Sequence, residues 1–268
     1  MRTSAHRPVT VAYAALAYAS FLGAVLWAAG FLADLTGSQT VDGGNRRPAW
    51  AALLIDAGLL LIFAVQHSVM ARAGFKRRLT RVLAAAAERS TYVLAASVAL
   101  FLLFGLWQPV PATVWRVSAQ PLVALIWAVY AAGWLTVVGV TFMIDHLDLV
   151  GLRQAGWRPG AEPYQPPPFR ERWLYRWVRH PMMVGLLLTF WVTPRMTAGH
   201  LFFAVAASAY IAVGLRFEQQ DLRQQLGGAY REYEARVPAL LPRRPRTCPV
   251  PRISDPLRAQ SSQARTGP

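Results

Sequence analysis

Four uncharged or nearly uncharged runs, each close to the length of a membrane crossing, constrain this chain more than anything else in it. Residues 11–33 and 122–144 each hold 23 residues without a charge, and residues 91–108 hold 18. Residues 50–70 are broken only by Asp56, Gln66 and His67. A helix needs about 20 residues to cross about 30 Å of hydrocarbon, so each run predicts a transmembrane helix. A fifth apolar region comes in two limbs, 182–192 and 201–215, separated by Thr193-Pro194-Arg195-Met196-Thr197. Its first limb is too short to cross alone and predicts a helical hairpin. The chain is 15% charged, where a soluble domain carries about 25%, which fits a surface turned to lipid. The expected fold class is all-α: a polytopic membrane protein of four transmembrane helices, a C-terminal helical hairpin and short amphipathic cytoplasmic helices.

The net charge of +15 invites a nucleic-acid reading until its placement is considered. With four crossings and a hairpin, 24 of the 28 basic residues fall on one side, within 1–10, 71–89, 144–179 and 216–268. Leaving out the long C-terminal piece, the split is still 14 against 4. The positive-inside rule then puts both termini in the cytoplasm, in a bacterial cell the inner face of the inner membrane. A nucleic-acid site would want aromatic residues interleaved with a basic stripe on a folded surface, and none is visible. The first apolar run is too long for a typical signal-peptide core and reads as a retained helix. The single cysteine, Cys248, excludes an intrachain disulfide.

One membrane domain is expected over residues 1–240. Residues 241–268, rich in Pro, Arg, Ser and Gln, are expected to form a disordered tail. Residues 154–170 hold five Pro and two Gly and predict an irregular cytoplasmic loop. After it, Glu171-Arg172-Trp173-Leu174-Tyr175-Arg176-Trp177-Val178 alternates charge and aromatic ring, as an interfacial helix with Trp173, Tyr175 and Trp177 at headgroup level would.

Ionisable groups at membrane depth cost about 2.5–3.5 kcal/mol on insertion scales, so each asks for a reason. His67 lies near the cytoplasmic end of the second helix. Glu88 and Arg89 open the third, Asp145, His146 and Asp148 close the fourth, Arg179 and His180 open the hairpin, and Glu218 closes it. All fall at one rim, where a polar cavity lined by helix ends would gather them. His67 suits either a snorkelling interfacial side chain or a site group. Glu88 suits either a site or the positive end of its helix dipole, with Ser90 or Thr91 assisting the cap. Asp56, alone in mid-helix, reads as a packing partner. The Asp145–Asp148 cluster lacks the second His or Cys pair that would complete a metal shell, so no metal is expected.

Arg179-His180-Pro181 is more pointed. Proline is favoured at the first helical position, and the three N–H groups after it, with Arg179, predict a seat for a carboxylate or phosphate. Gly185, one turn on, allows close approach to the helix. An anion seat facing Glu218 suits a zwitterionic ligand. Polar residues 216–222 predict a segment that leaves the membrane and folds back over the site.

These residues also carry a resemblance. Residues 179–185, followed by 217–238 with Gly227, Tyr230, Tyr233 and Val237-Pro238, resemble the C-terminal signature of integral-membrane methyltransferases. That group includes isoprenylcysteine carboxyl methyltransferases and phospholipid N-methyltransferases. Residues 67–76, 88–94, 141–154 and 190–204, with Trp107, Pro109 and Trp115, narrow the likeness to the bacterial methanethiol S-methyltransferases. The resemblance spans roughly residues 50–240. It implies methyl transfer from S-adenosylmethionine to methanethiol, giving dimethyl sulfide, with the cofactor held between the hairpin and the C-terminal segment. By the same resemblance Arg179, His180, Pro181, Gly185, Glu218, Tyr230 and Tyr233 bind the cofactor. Gln219 stands where a second Glu is common in that group, and Met183 where several members carry Tyr.

Such chemistry needs a thiolate, and an aliphatic thiol is mostly protonated at neutral pH. His67, His146 and Arg89 are the candidate catalytic groups, and Glu88 and Arg153 the candidate substrate contacts. The expected partners are a small apolar thiol and membrane lipid. Two other readings stay open at this stage. One is a different acceptor, such as another small thiol, a prenyl-cysteine carboxylate or a lipid amine. The other is a membrane protein without enzymatic activity.

Overall fold

Each of the four long apolar runs is a helix in the computed structural model, which describes residues 7–35, 37, 39–157 and 173–241. The helices are α1 (Arg7–Leu32), α2 (Ala49–Ala71), α4 (Ala85–Leu106) and α5 (Gln120–Ile144). Short α3 (Ala73–Leu79) follows α2, and α6 (His146–Leu149) follows α5. Then come α7 (Pro181–Trp191), α8 (Ala198–Leu226) and α9 (Gly228–Arg236). Among the described residues five helices, α1, α2, α4, α5 and α8, are long and apolar enough to cross a membrane, and α7 is a shorter apolar helix. The protein is a multi-pass helical membrane protein. Most of the Pro-rich loop, the C-terminal tail from residue 242 and Cys248 lie outside the described residues.

Three elements depart from expectation. Residues 216–222 do not themselves fold back: α8 runs unbroken through them, largely exposed, to Leu226. The chain reverses instead at Gly227, whose φ of 58° favours glycine. The Pro194 connection between α7 and α8 also carries a strand. β2 (Arg195–Thr197) pairs antiparallel with β1 (Thr113–Arg116). The interfacial helix expected at 171–178 is, within the described residues, a 3-10 turn at Trp173–Arg176. Trp173 and Trp177 point outward, while Tyr175 is half-buried.

The core is aromatic. Phe31 of α1 packs on Phe104 of α4 at 4.8 Å between ring centres. Trp107 and Phe203 meet edge-on at 5.6 Å, and Phe190 and Phe203 at 5.4 Å. The polar tips of this core find carbonyls, as buried aromatic donors do: Trp107 donates to Val41 O and Tyr130 to Ala29 O. Asp56, fully buried, accepts the N–H of Gln108 at 2.9 Å, the packing role its sequence context implied. Helices α5 and α7 approach by pairing glycines. A methyl at Gly185 would sit 2.8 Å from Gly133 O and 2.9 Å from Val137 Cγ2. Small residues let membrane helices close to van der Waals distance in this way.

Candidate active site

Three polar groups gather at the end of the bundle formed by the C-terminal ends of α2, α5 and α8 and the start of α4. The first surrounds His67. Its ring stacks on Phe63 at 5.2 Å and 29°, and Tyr210 of α8 meets it edge-on at 6.4 Å. The hydroxyl of Tyr92, from α4, lies 2.8 Å from Nε2 and 3.1 Å from Nδ1. Tyr210 in turn shares a hydrogen bond with Ser68 Oγ at 3.1 Å. Arg89 lies with its guanidinium carbon 5.3 Å from the centre of the Tyr92 ring, and its Nε donates to Leu149 O at 2.8 Å. One carboxylate oxygen of Glu88 is buried without a hydrogen-bond partner among the described residues.

The second group lies just past α5. His146 is buried with both ring nitrogens engaged, Nε2 by Tyr18 and Nδ1 by Thr141, each at 2.8 Å. Burial, partly opposed by Asp145, pushes its pKa down. Arg153 forms an ion pair with Asp145 at 2.7 Å. The loop after α6 docks on the start of α4 through Gly151, at φ 89°, where a methyl would lie 2.6 Å from Ser90 Oγ. That docking is what brings Leu149 O to Arg89.

The third group joins α7, α8 and α9. His180 caps α7, with Pro181 at the first helical position. Its Nδ1 lies 3.4 Å from Glu218 Oε2, and its Nε2 3.4 Å from Gln219 Nε2. Burial, then the neighbouring Arg179 cation, pushes the His180 pKa down to about 4, so the ring is neutral at pH 7. Arg179 bonds Glu234 at 2.8 Å and the Tyr230 hydroxyl at 3.2 Å. Glu234 is also held by Arg223 at 2.7 and 2.9 Å. These bonds, those of Arg223 first, hold its carboxyl down at about 2. Tyr233 donates to Tyr175 O at 2.7 Å, and the N–H groups of Arg179 and His180 donate to Pro238 O and Ala239 O.

The structure shows how several of the sequence-predicted residues are engaged. The N–H groups of Met183 and Val184 turn back to His180 O, so two of the three donors assigned to the anion seat are used within the helix turn. Gly185 faces α5, where the glycine pair lets the two backbones touch. Tyr230 and Tyr233 are buried and stitch α9 to the segment before α7. Both nitrogens of His146 are engaged, by Tyr18 and Thr141, and Arg153 pairs with Asp145. Of the rim residues, His67 lies with Arg89 and Glu88 around Tyr92, and His180 lies with Glu218. Tyr92, Tyr210, Arg223 and Glu234 were missed. Tyr92 lies four residues after Glu88, hence on the same helical face, and that spacing was available to find it. No group of three potential metal ligands occurs among the described residues.

Fold and site define a multi-pass helical membrane protein with titratable side chains collected at one end of its bundle. A protein of Mycobacterium tuberculosis named methanethiol S-methyltransferase is 48% identical over 238 residues, 88% of this chain and 97% of its own length. A second of that name, methanethiol S-methyltransferase 2 of Bradyrhizobium diazoefficiens, is 45% identical over 86% of this chain and 89% of its own. Nurim of Sus scrofa is 30% identical over 72% of this chain and 80% of its own. No family profile and no solved structure matches significantly. The chain belongs to the methanethiol S-methyltransferase family.

Proposed function

We propose that the protein transfers a methyl group from S-adenosylmethionine to methanethiol, yielding dimethyl sulfide. The observation that carries this reading is that relatives named for that activity match 86–88% of this chain at 45–48% identity. The basic loops support a cytoplasmic face for that end, an inner-membrane location and cytoplasmic termini. Residues 1–240 form the methyltransferase domain and 241–268 a tail.

The residues present suit the cofactor. Arg179 Nε is buried without a partner among the described residues, a cationic donor placed for a carboxylate. The half-exposed Glu218 carboxylate beside neutral His180 suits an ammonium group. Arg179, His180 and Glu218 would hold the amino-acid end, with Tyr230 fixing Arg179, Tyr233 bracing α9 through Tyr175 O, and Pro181 setting the start of α7. When bound, the cofactor supplies a methyl group on a sulfonium, activated for in-line attack by a thiolate.

The rest falls to the chain. His67 accepts the thiol proton, and the Arg89 cation favours the negative charge left on sulfur. Glu88 lines the acceptor side. Exclusion of water from the reacting pair would favour the meeting of thiolate with a cationic sulfur centre. Alignment of the two sulfurs is the larger contribution, since proximity alone accounts for about 7–11 kcal/mol in well-oriented reactions.

The test is headspace detection of dimethyl sulfide from cells expressing the protein and fed methanethiol, with S-adenosylmethionine binding measured by calorimetry in detergent. Dimethyl sulfide above the empty-vector level, with cofactor binding, is expected. Binding without dimethyl sulfide would move the acceptor to another class, and no binding would overturn the reading.

A further inference from the structure

We infer that Tyr92 is itself a catalytic residue, carrying the thiol proton to His67; the inference rests on the reading of His67 as proton acceptor. Among the described residues, the hydrogen bonds of His67 go to one atom, the Tyr92 hydroxyl, which reaches both ring nitrogens at 2.8 and 3.1 Å. Phe63 covers one ring face and Tyr210 meets the ring edge-on. In this relay the substrate sulfur sits at the Tyr92 hydroxyl, through which the His67 nitrogens are reached.

A neutral imidazole has one protonated and one bare nitrogen. The Tyr92 O–H donates to the bare one. As the S–H bond of the thiol breaks, its proton passes to the Tyr92 oxygen. The proton already on that oxygen passes to the bare nitrogen of His67, and the electron pair stays on sulfur. Tyr92 ends as it began, His67 ends as imidazolium and the thiol ends as thiolate. Arg89, over the Tyr92 ring at 5.3 Å, favours anionic character on the phenol oxygen and on sulfur during the transfer. The charged or titratable groups that face the pair are Arg89 and Glu88 of α4 and Tyr210 of α8.

Tyr92→Phe keeps the ring, its packing and its contact with Arg89, and removes only the relay atom. At pH 7, Tyr92→Phe and His67→Ala should each lower kcat by about 10²-fold, the lower range for positioned acid–base groups. The double variant should be no slower than His67→Ala, because the two act as one unit. Raising the pH to about 9.5 ionises more of the thiol in solution, and the deficit of both variants should shrink at least tenfold. That comparison is made on one preparation at two pH values, so a fraction of misfolded protein scales both rates alike. A deficit of Tyr92→Phe that does not change with pH would make the hydroxyl structural and overturn the relay. So would a wild-type rate in Tyr92→Phe beside a slow His67→Ala. A wild-type rate in His67→Ala would remove the proton acceptor itself, a failure of the underlying reading.

Discussion

His180 Nδ1, at the start of α7, lies 3.4 Å from Oε2 of Glu218, near the far end of α8. This contact places on one side of the bundle two residues that are 38 positions apart in the chain. Because His180 is neutral at pH 7, the contact is not an ion pair, and the Glu218 charge is left for another cation.

Replacement of Glu218 by Gln tests that assignment. The loss of one hydrogen bond to a charged group is worth about 1.5–3 kcal/mol. The KM for S-adenosylmethionine should rise roughly 10–100-fold, with a smaller change in kcat. Initial rates with labelled cofactor in detergent give both constants. An unchanged KM would remove Glu218 from the cofactor site.

The Gly185–Gly133 contact gives a second prediction. Gly185→Ala should lower stability by about 1–3 kcal/mol, the usual cost of overpacking, because the backbone of α5 cannot retreat as a flexible side chain can. Thermal melting in detergent reads this. A cofactor KM that rises while the melting temperature stays fixed would instead restore the glycine to the ligand site.

How far these features could be read beforehand differs along the chain. Hydropathy shows helix existence because each crossing must satisfy its own backbone in lipid, and α1, α2, α4 and α5 lie within a few residues of their apolar runs. The continuation of α8 through Arg216–Leu226 was not legible. Polarity there suggested departure from the membrane, but a helix can leave the hydrocarbon without breaking, and Phe217 packs under the Arg72 guanidinium at 4.6 Å. Rim residues were legible by their cost, as with His67 and Glu218. Which of them pair with one another was not, since His146 with Tyr18 or Arg179 with Glu234 join residues 128 and 55 apart.

The Glu234 clamp predicts a pH dependence of stability. Its carboxyl is held at about 2 by Arg223 and Arg179, below the ordinary value of 4.5. The folded pKa is depressed, so the contribution is fully present above about 4.5, where the unfolded chain is also ionised, and is lost as the pH falls toward 2. Glu234→Gln should therefore destabilise the protein at pH 7, by about 1–3 kcal/mol because Arg179 loses its charged partner. The gap from wild type should narrow between pH 4.5 and 2. Melting curves of both proteins across that range check the sign, and a gap that widens on acidification would contradict it.

His146 separates structural from catalytic histidines. Its nitrogens are held by Tyr18 and Thr141, and its ring lies 4.5 Å above Phe142 at 12°. No lone pair or N–H remains to meet a substrate without breaking one of these bonds. Removing it leaves the Tyr18 and Thr141 hydroxyls short of a partner, a penalty of about 1–3 kcal/mol. His146→Ala should thus melt lower while keeping its turnover, per molecule able to bind S-adenosylmethionine, within about threefold of wild type, far from the 10²-fold of a lost acid–base group. Turnover normalised to calorimetric binding sites makes the distinction. A fall as deep as that of His67→Ala would mean that the Tyr18–His146–Thr141 chain moves protons and does more than brace the end of α5.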